Sequence, residues 1–367
     1  MTDFIKVLNR DERAVYTLRA LYRAYGYSQY KMSKFEEYDL YVKNKEFLVS
    51  ENVITFTDTD GKLMALKPDV TLSIIKNGKD APDTVKKVFY NENVYRASKG
   101  TRSFKEIMQV GLECQGDIDD YQITEVLSLA VKSLDSITSE CVLDLSHMGV
   151  ISGVLEYAGL SQTGAKNVLV ALGEKNVQAV ETICDCEKVE ECKKELVKKL
   201  VTVYGKLNSV KADLEGFKVN QKATNGIEQL LSVVGELDRM GLNDKVRIDF
   251  SVVNDMGYYN GIVFKGFVSG IPSSILSGGE YDNLMKKLGK NSGAIGFAVY
   301  LDSLGDTVEE DYDVDCVVLY DKNCAVNTVS AMVEKFAGEG RTVIALKSIP
   351  SKLKYKELVD LTKGVNV

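Results

Sequence analysis

A chain of 367 residues, 45 % hydrophobic and 27 % charged, has the composition of a soluble globular protein and the length for two or three domains. Its formal net charge of -7 argues against a broad nucleic-acid surface, which needs clustered Lys and Arg, and leaves room only for a local basic loop. No apolar run approaches the roughly twenty residues that span a bilayer and the start has no signal-peptide core, so a cytoplasmic protein is expected.

The predicted elements follow in chain order. Val15, Leu18, Leu21, Tyr22 and Tyr25 recur at helical spacing over residues 10–25, and Gly26 stops that helix. NVITFTD and KLMALK read as a hairpin around Asp60-Gly61, and Asp69 and Thr71 fall at a strand-to-helix corner. From Lys87 to Gly116 two strands flank the basic loop ASKGTRSF. The second alternates strictly, with Ile107, Gln109, Gly111, Glu113 and Gln115 on one face and Met108, Val110, Leu112 and Cys114 on the other. Its apolar face is expected to pack. Its polar face can be read as the floor of a pocket, with Gly111 leaving room above the strand; a solvated antiparallel face is the commoner cause of such alternation and is the reading this stretch alone favours.

Asp119 and Asp120 are expected to cap the next helix, whose apolar positions run from Ile123 to Leu134. His147, the single histidine, ends the strand CVLDLS before a helix, where a cap or a packed ring is the expected role. Residues 160–242 are Lys- and Glu-rich, with four helical segments and no convincing strand. Within them Cys184, Cys186 and Cys192 lack the paired spacing and fourth ligand of a zinc site, so no metal is expected and the seven cysteines are expected to be reduced thiols. Strands resume at KVRIDFSVV and GIVFKGFV, joined by NDMGYYNG. Glycine-rich ILSGGEYDNLMKKLG follows, then GAIGFAVYLDSL as strand into helix. DTVEEDYD at 306–313 reads as an acidic linker, and residues 314–367 as a strand-helix-strand unit with a last helix over LKYKELVDLTKG.

At this point the motifs resemble those of histidyl-tRNA synthetase and, more closely, of its paralogue, the synthetase-like regulatory subunit of ATP phosphoribosyltransferase. The opening helix with Gly26-Tyr27 and Phe35-Glu36 is similar to class II motif 1, with Ser33 where the family usually has proline. LKPDVT is similar to LRPE-x-T, with Lys67 for arginine and Asp69 for glutamate. Tyr95-Arg96 and KEIMQVGLECQG resemble motif 2. GYYNG resembles DYYTG, SGGEYDNL resembles GGGRYDGL, and GAIGFAVYLDSL resembles motif 3.

The resemblance implies an α+β class II aminoacyl-tRNA synthetase-like core over 1–159 and 243–305. That core would be a mixed, mainly antiparallel sheet flanked by helices, with a helical insertion at 160–242 and a shortened anticodon-binding-like α/β unit at 314–367. It also implies which groups would hold histidine: Asp69, Thr71, Gln109, Glu113, Tyr259 and Tyr281 match the family's amino-acid pocket. The nucleotide side departs from the pattern. Arg96 keeps the motif 2 arginine, but the motif 3 arginine is Ser303, the histidine-motif arginine is Asn254, the adenine-reading glutamate is Ser98, and the arginine of GGGRYDGL is Glu280. Each guanidinium lost from a transferring phosphoryl group costs about 3 kcal/mol or more, so adenylation should be silent.

A pocket kept and a catalyst removed is a sensor's pattern. The resemblance therefore implies a subunit with no catalytic residue and no cofactor, in which Arg96 is a remnant of the nucleotide site. It would dimerise through motif 1 and assemble with the short-form catalytic subunit that joins ATP to phosphoribosyl pyrophosphate, conferring activity and histidine inhibition, without tRNA or membrane. Two rivals stay open: an active histidyl-tRNA synthetase and a free-standing histidine-binding protein.

Overall fold

The computed structural model describes residues 8–42, 53–80, 83–97, 103–253, 258–304 and 312–363. They fall into two compact units, one from Ala14 to Leu304 and one that contains 312–363.

Helix α1 (Arg10–Ala24) buries Leu18 and Tyr22 and gives way to Gly26, whose φ of +83° is the left-handed turn that glycine adopts without penalty. After β1 (Ser28–Gln29) comes a small antiparallel sheet of β2 (Phe35–Glu37), β3 (Thr55–Thr57) and β4 (Leu63–Leu66), with α2 (Tyr38–Val42) following β2. The hairpin expected around Asp60-Gly61 is formed. Helix α3 (Thr71–Asn77) starts at the expected corner, and the Lys290 ammonium closes its far end by donating to the carbonyls of Ile75 and Gly78.

The long hairpin of β5 (Val85–Ala97) and β6 (Phe104–Gly116) sets Val88 opposite Glu113 and Tyr90 opposite Gly111. Asp119 caps α4 (Asp120–Ile137) by accepting from the Tyr121 and Gln122 amides while Gln122 reaches back to the Asp119 amide. Strand β7 (Cys141–His147) then leads into α5 (Met148–Ala158).

The stretch expected to hold four helices and no strand holds five helices and a short strand: α6 (Gln162–Gly173), α7 (Val177–Cys186), α8 (Glu191–Thr202), β8 (Tyr204–Gly205), α9 (Leu207–Gly216) and α10 (Gln221–Arg239). The difference has a plain cause. Within α9 only Val210 and Leu214 are fully buried, too few for a clear period, and β8 is two residues long. These helices share one apolar core with α4, α5 and the sheet, through Val168, Leu172, Leu200, Ile227 and Leu230.

Strands β9 (Val246–Asp249), β10 (Ile262–Val268), β11 (Leu276–Glu280) and β12 (Gly293–Tyr300) complete the large sheet, with α11 (Asp282–Lys287) between the last two. After β12 the described chain makes a 3-10 turn, Asp302–Leu304, where the sequence led us to expect a helix. The strand order is β1-β5-β6-β12-β11-β10-β7-β9-β8, parallel at β1–β5 and β7–β9 and antiparallel elsewhere. This is the mixed, mainly antiparallel sheet that was expected. Its face carrying Val110, Leu112 and Cys114 is sealed into the helix-covered core.

In the smaller unit β13 (Val314–Leu319), β14 (Val343–Leu346) and β15 (Tyr355–Asp360) form a parallel sheet with β13 in the middle, and α12 (Val326–Gly338) places Phe336 on Cys316 and Val318. The helix expected over LKYKELVDLTKG is instead strand β15 with a 3-10 turn, Leu361–Lys363. Apart from Tyr312 and Asp313, the expected linker lies outside the described residues. Among the described residues no helix is long and apolar enough to cross a membrane.

Candidate functional site

In an antiparallel sheet, residues paired across strands point to the same face. Glu113 of β6 pairs with Gly296 of β12, and Gly296 pairs with Gly279 of β11, so the two glycines lay a row without side chains beside Glu113. Gln115, Ala294 and Tyr281 make the neighbouring row; Gln109 and Tyr300 lie further along the same face. This face is not solvated: Gln109, Glu113 and Gln115 are 4 %, 1 % and 5 % exposed, which removes the solvated reading of the alternation.

Glu113 is the centre. Thr71, on the first turn of α3, donates its hydroxyl to Glu113 Oε1 at 2.7 Å, and the Tyr281 hydroxyl donates to Oε2 at 2.5 Å. Burial pushes the Glu113 carboxyl up to about 8, partly offset by those two bonds and reinforced by the charge of Asp69. Asp69 is also raised by burial, although it accepts the Leu72 amide at 2.9 Å and feels the Arg96 guanidinium. Part of Asp69 is therefore spent on starting α3. Arg96 donates Nε–H to the Pro68 carbonyl at 3.2 Å, which holds it next to that carboxyl.

Tyr259 and Tyr281 gather near this carboxyl together with Tyr258, which the sequence reading did not single out. The Tyr258 ring lies 4.4 Å from Tyr259 and 6.2 Å from Tyr281, and its hydroxyl bonds to Thr71. The adjacent pair in GYYNG was the available signal. Thr71, Glu113 and Tyr281 thus touch directly, while Asp69 and Tyr259 lie within electrostatic range of Glu113.

Two expectations are corrected. The room above Gly111 is taken by Tyr90: a Cβ at Gly111 would overlap the Tyr90 hydroxyl and the Phe297 carbonyl. Glu280, grouped by the resemblance with the nucleotide side, does not share a face of the sheet with Glu113. It pairs with Ile295, and Ile295 with Cys114, so it points to the helix-covered face, where it accepts the Ile262 amide at 2.7 Å and is held by Gln229. Burial raises it to about 7. The same Gln229 accepts from His147 Nε2 at 2.6 Å while His147 Nδ1 accepts the Gly149 amide, so the histidine is both helix cap and packed ring, its pKa lowered to about 4 by burial. Finally, Cys184 is buried in α7 while Cys186 and Cys192 are exposed, and no described group of three His, Cys, Asp or Glu residues could hold a metal. Ser98, Asn254 and the Ser303 side chain lie outside the described residues.

The glycine row makes a direct demand on sequence. A Cβ on Gly296 would overlap the Glu113 carboxylate and come within 2.6 Å of the Leu112 carbonyl, which a β-ladder cannot move. Gly296→Ala should therefore cost about 2 kcal/mol or more of stability and displace Glu113, measurable as a lower urea midpoint and loss of ligand binding. An unchanged midpoint would show that this row is not tight.

A mainly antiparallel sheet of this order, with a strand-to-helix corner and a buried carboxyl flanked by tyrosines on the face away from the helix-covered core, is a class II aminoacyl-tRNA synthetase core. The model for histidyl-tRNA synthetase matches residues 6–304, and the chain belongs to that family. A curated relative from Ruminiclostridium cellulolyticum, named ATP phosphoribosyltransferase regulatory subunit, is 28 % identical over 317 residues, covering 83 % of this chain and 75 % of its own. A Bacillus halodurans structure, named an ATP phosphoribosyltransferase regulatory subunit/histidyl-tRNA synthetase, superposes with a TM-score of 0.75 at 20 % identity, covering 96 % of this chain and 93 % of that one. A chain of the ATP phosphoribosyl transferase (HisG:HisZ) complex from Thermotoga maritima matches with a TM-score of 0.61 at 20 % identity, covering 82 % and 98 %. Both structures share the fold.

Proposed function

We propose that this chain is the non-catalytic regulatory subunit of an ATP phosphoribosyltransferase, and that free histidine, bound in the pocket of Asp69, Thr71, Gln109, Glu113, Tyr259 and Tyr281, inhibits the complex. The observation that carries the reading is the Glu113 carboxyl clasped by Thr71 and Tyr281, in a chain that keeps Arg96 but has Ser303, Asn254 and Glu280 where the family has arginines. The name of the Ruminiclostridium cellulolyticum relative, ATP phosphoribosyltransferase regulatory subunit, supports the same role.

Asp69 and Glu113 receive the ammonium and the tyrosines enclose the imidazole, while Arg96 is a remnant of the nucleotide site. Residues 160–242 are the family's helical insertion and 314–367 a shortened anticodon-binding-like unit. The chain dimerises through α1 and the β2 region and works in the cytoplasm with a short-form catalytic subunit, without tRNA.

The test is reconstitution. Mixing the purified chain with a short-form catalytic subunit should raise phosphoribosyl transfer from ATP, and histidine should then suppress it; a mixture that behaves like the catalytic subunit alone sinks the proposal. Histidine-dependent ATP–pyrophosphate exchange is expected to be absent, and its appearance would favour an active synthetase.

A further inference from the structure

Both oxygens of Glu113 are engaged, and both partners are hydroxyls rather than cations. The groups that surround it come from every neighbouring element. Thr71 and Asp69 lie at the start of α3, Tyr90 on β5, Cys114 and Gln115 on β6, Tyr258 and Tyr259 before β10, and Tyr281 after β11, while β12 offers only Gly296. Among the described residues the charged neighbour that acts on Glu113 is Asp69, an acid whose charge disfavours ionisation. Nearby cations are committed elsewhere: Arg96 acts on Asp69, and the fully buried Lys67 pairs with Glu92 at 2.9 Å.

An ionised carboxylate at 1 % exposure with no cationic partner among the described residues is costly, whereas the neutral acid is well served here. Hydroxyls turn either way. Thr71 can go on donating to one oxygen while the acid's own O–H donates to the Tyr281 oxygen, so the same heavy-atom positions satisfy the protonated form. Gln115, 5 % exposed, has its amide beside the Tyr281 oxygen as a further donor in that chain.

We propose that the empty pocket holds Glu113 as the carboxylic acid and that a ligand's ammonium displaces its proton, so that the site accepts only ligands that bring their own positive charge. This rests on the reading of the pocket as an amino-acid site. The exchange balances: the Glu113 O–H bond breaks, its electron pair stays on the carboxylate, the proton passes to buffer, and the ligand keeps all three N–H bonds of its ammonium.

The experiment is isothermal titration of the full chain, alone and with its catalytic partner, with histidine at pH 7.5 in phosphate and in Tris, buffers of low and high ionisation enthalpy. With Glu113 titrating at about 8, roughly three-quarters of a proton should leave per histidine bound, against about a tenth from the ligand's imidazole. The heats in the two buffers should differ accordingly. Imidazolepropionate, which lacks the amino group, should not bind, and Glu113→Gln should bind histidine weakly with heats that no longer depend on buffer.

Equal heats in the two buffers for the natural chain would overturn the exchange and leave the amino-acid site standing. Proton release that persists in Glu113→Gln would overturn its assignment to this residue. If Glu113→Gln does not fold, the natural chain decides, because its affinity should rise about eightfold between pH 6.5 and 7.5 beyond the ligand's own titration. Absence of any histidine binding would fail the functional reading and this inference with it.

Discussion

Glu113→Gln is expected to weaken histidine inhibition of the reconstituted complex at least thirtyfold while changing the unfolding free energy at pH 6, where both side chains are neutral, by no more than about 1 kcal/mol. The asymmetry follows from what the side chain meets in each state. With ligand bound, the carboxylate faces an ammonium in a pocket where Glu113 is 1 % exposed, and removing one partner of such a pair costs about 2 to 5 kcal/mol, of which 2 is already about thirtyfold. Without ligand the residue meets only the hydroxyls of Thr71 and Tyr281. A glutamine of the same shape accepts from one and donates to the other, so no buried polar atom is orphaned and no cavity opens. Inhibition by histidine that is unchanged in the variant would show that the effector binds elsewhere in the complex.

How much of this site was legible in the sequence depends on what each signal encodes. The alternation from Ile107 to Gln115 located a polar face correctly, because side-chain direction on a strand is local. Whether that face was wet was not local: it is sealed by α3, by Tyr258 and Tyr259 and by Tyr281, from segments up to 168 residues away. Gly111 was read as open space, yet the hairpin register alone puts Tyr90 across from it. Glu280 was misplaced for a related reason. Compared as a string it sits beside Tyr281, but neighbours on a strand point to opposite faces, so the carboxylate and the phenol serve different sides of the sheet.

The C-terminal strand β15 shows the limit of patterning. Its residues Tyr355, Glu357 and Val359 on one side and Lys356, Leu358 and Asp360 on the other mix polar and apolar on both faces, so neither a two-residue nor a 3.6-residue period dominates. Backbone pairing with β13, from Val314–Tyr355 to Leu319–Asp360, decides it. At His147, by contrast, the position between a strand and a helix was enough to expect the cap that Nδ1 provides.

The second large effect concerns pH. The ligand-free chain should be less stable at pH 8.5 than at pH 6 by about 3 to 4 kcal/mol. Three buried carboxyls drive this: Glu113 raised to about 8, Glu280 to about 7 and Asp144 to about 6, each with burial as the first cause. A carboxyl whose pKa is higher in the folded state than in the unfolded chain holds its proton more tightly when folded. Its contribution is complete below the unfolded value, near 4, and is lost as pH rises through the folded value. Glu113 dominates between pH 6 and 8.5, Glu280 adds about half as much, and Asp144 has by then lost most of its share. His147 acts in the opposite sense. Its pKa is lowered to about 4, so its stabilisation is present above about 6.5 and fades as pH falls, which keeps the optimum from moving far into acid. Urea unfolding at the two pH values measures the difference. Glu113→Gln should remove more than half of it and Glu280→Gln a smaller part, whereas saturating histidine should stabilise the natural chain more at pH 8.5 than at pH 6, because only the ionised pocket is ready for the ammonium. Stability that is level or rises towards pH 8.5 would mean that these carboxyls are ionised and compensated in the folded chain, and the neutral form of Glu113 would fall with that result.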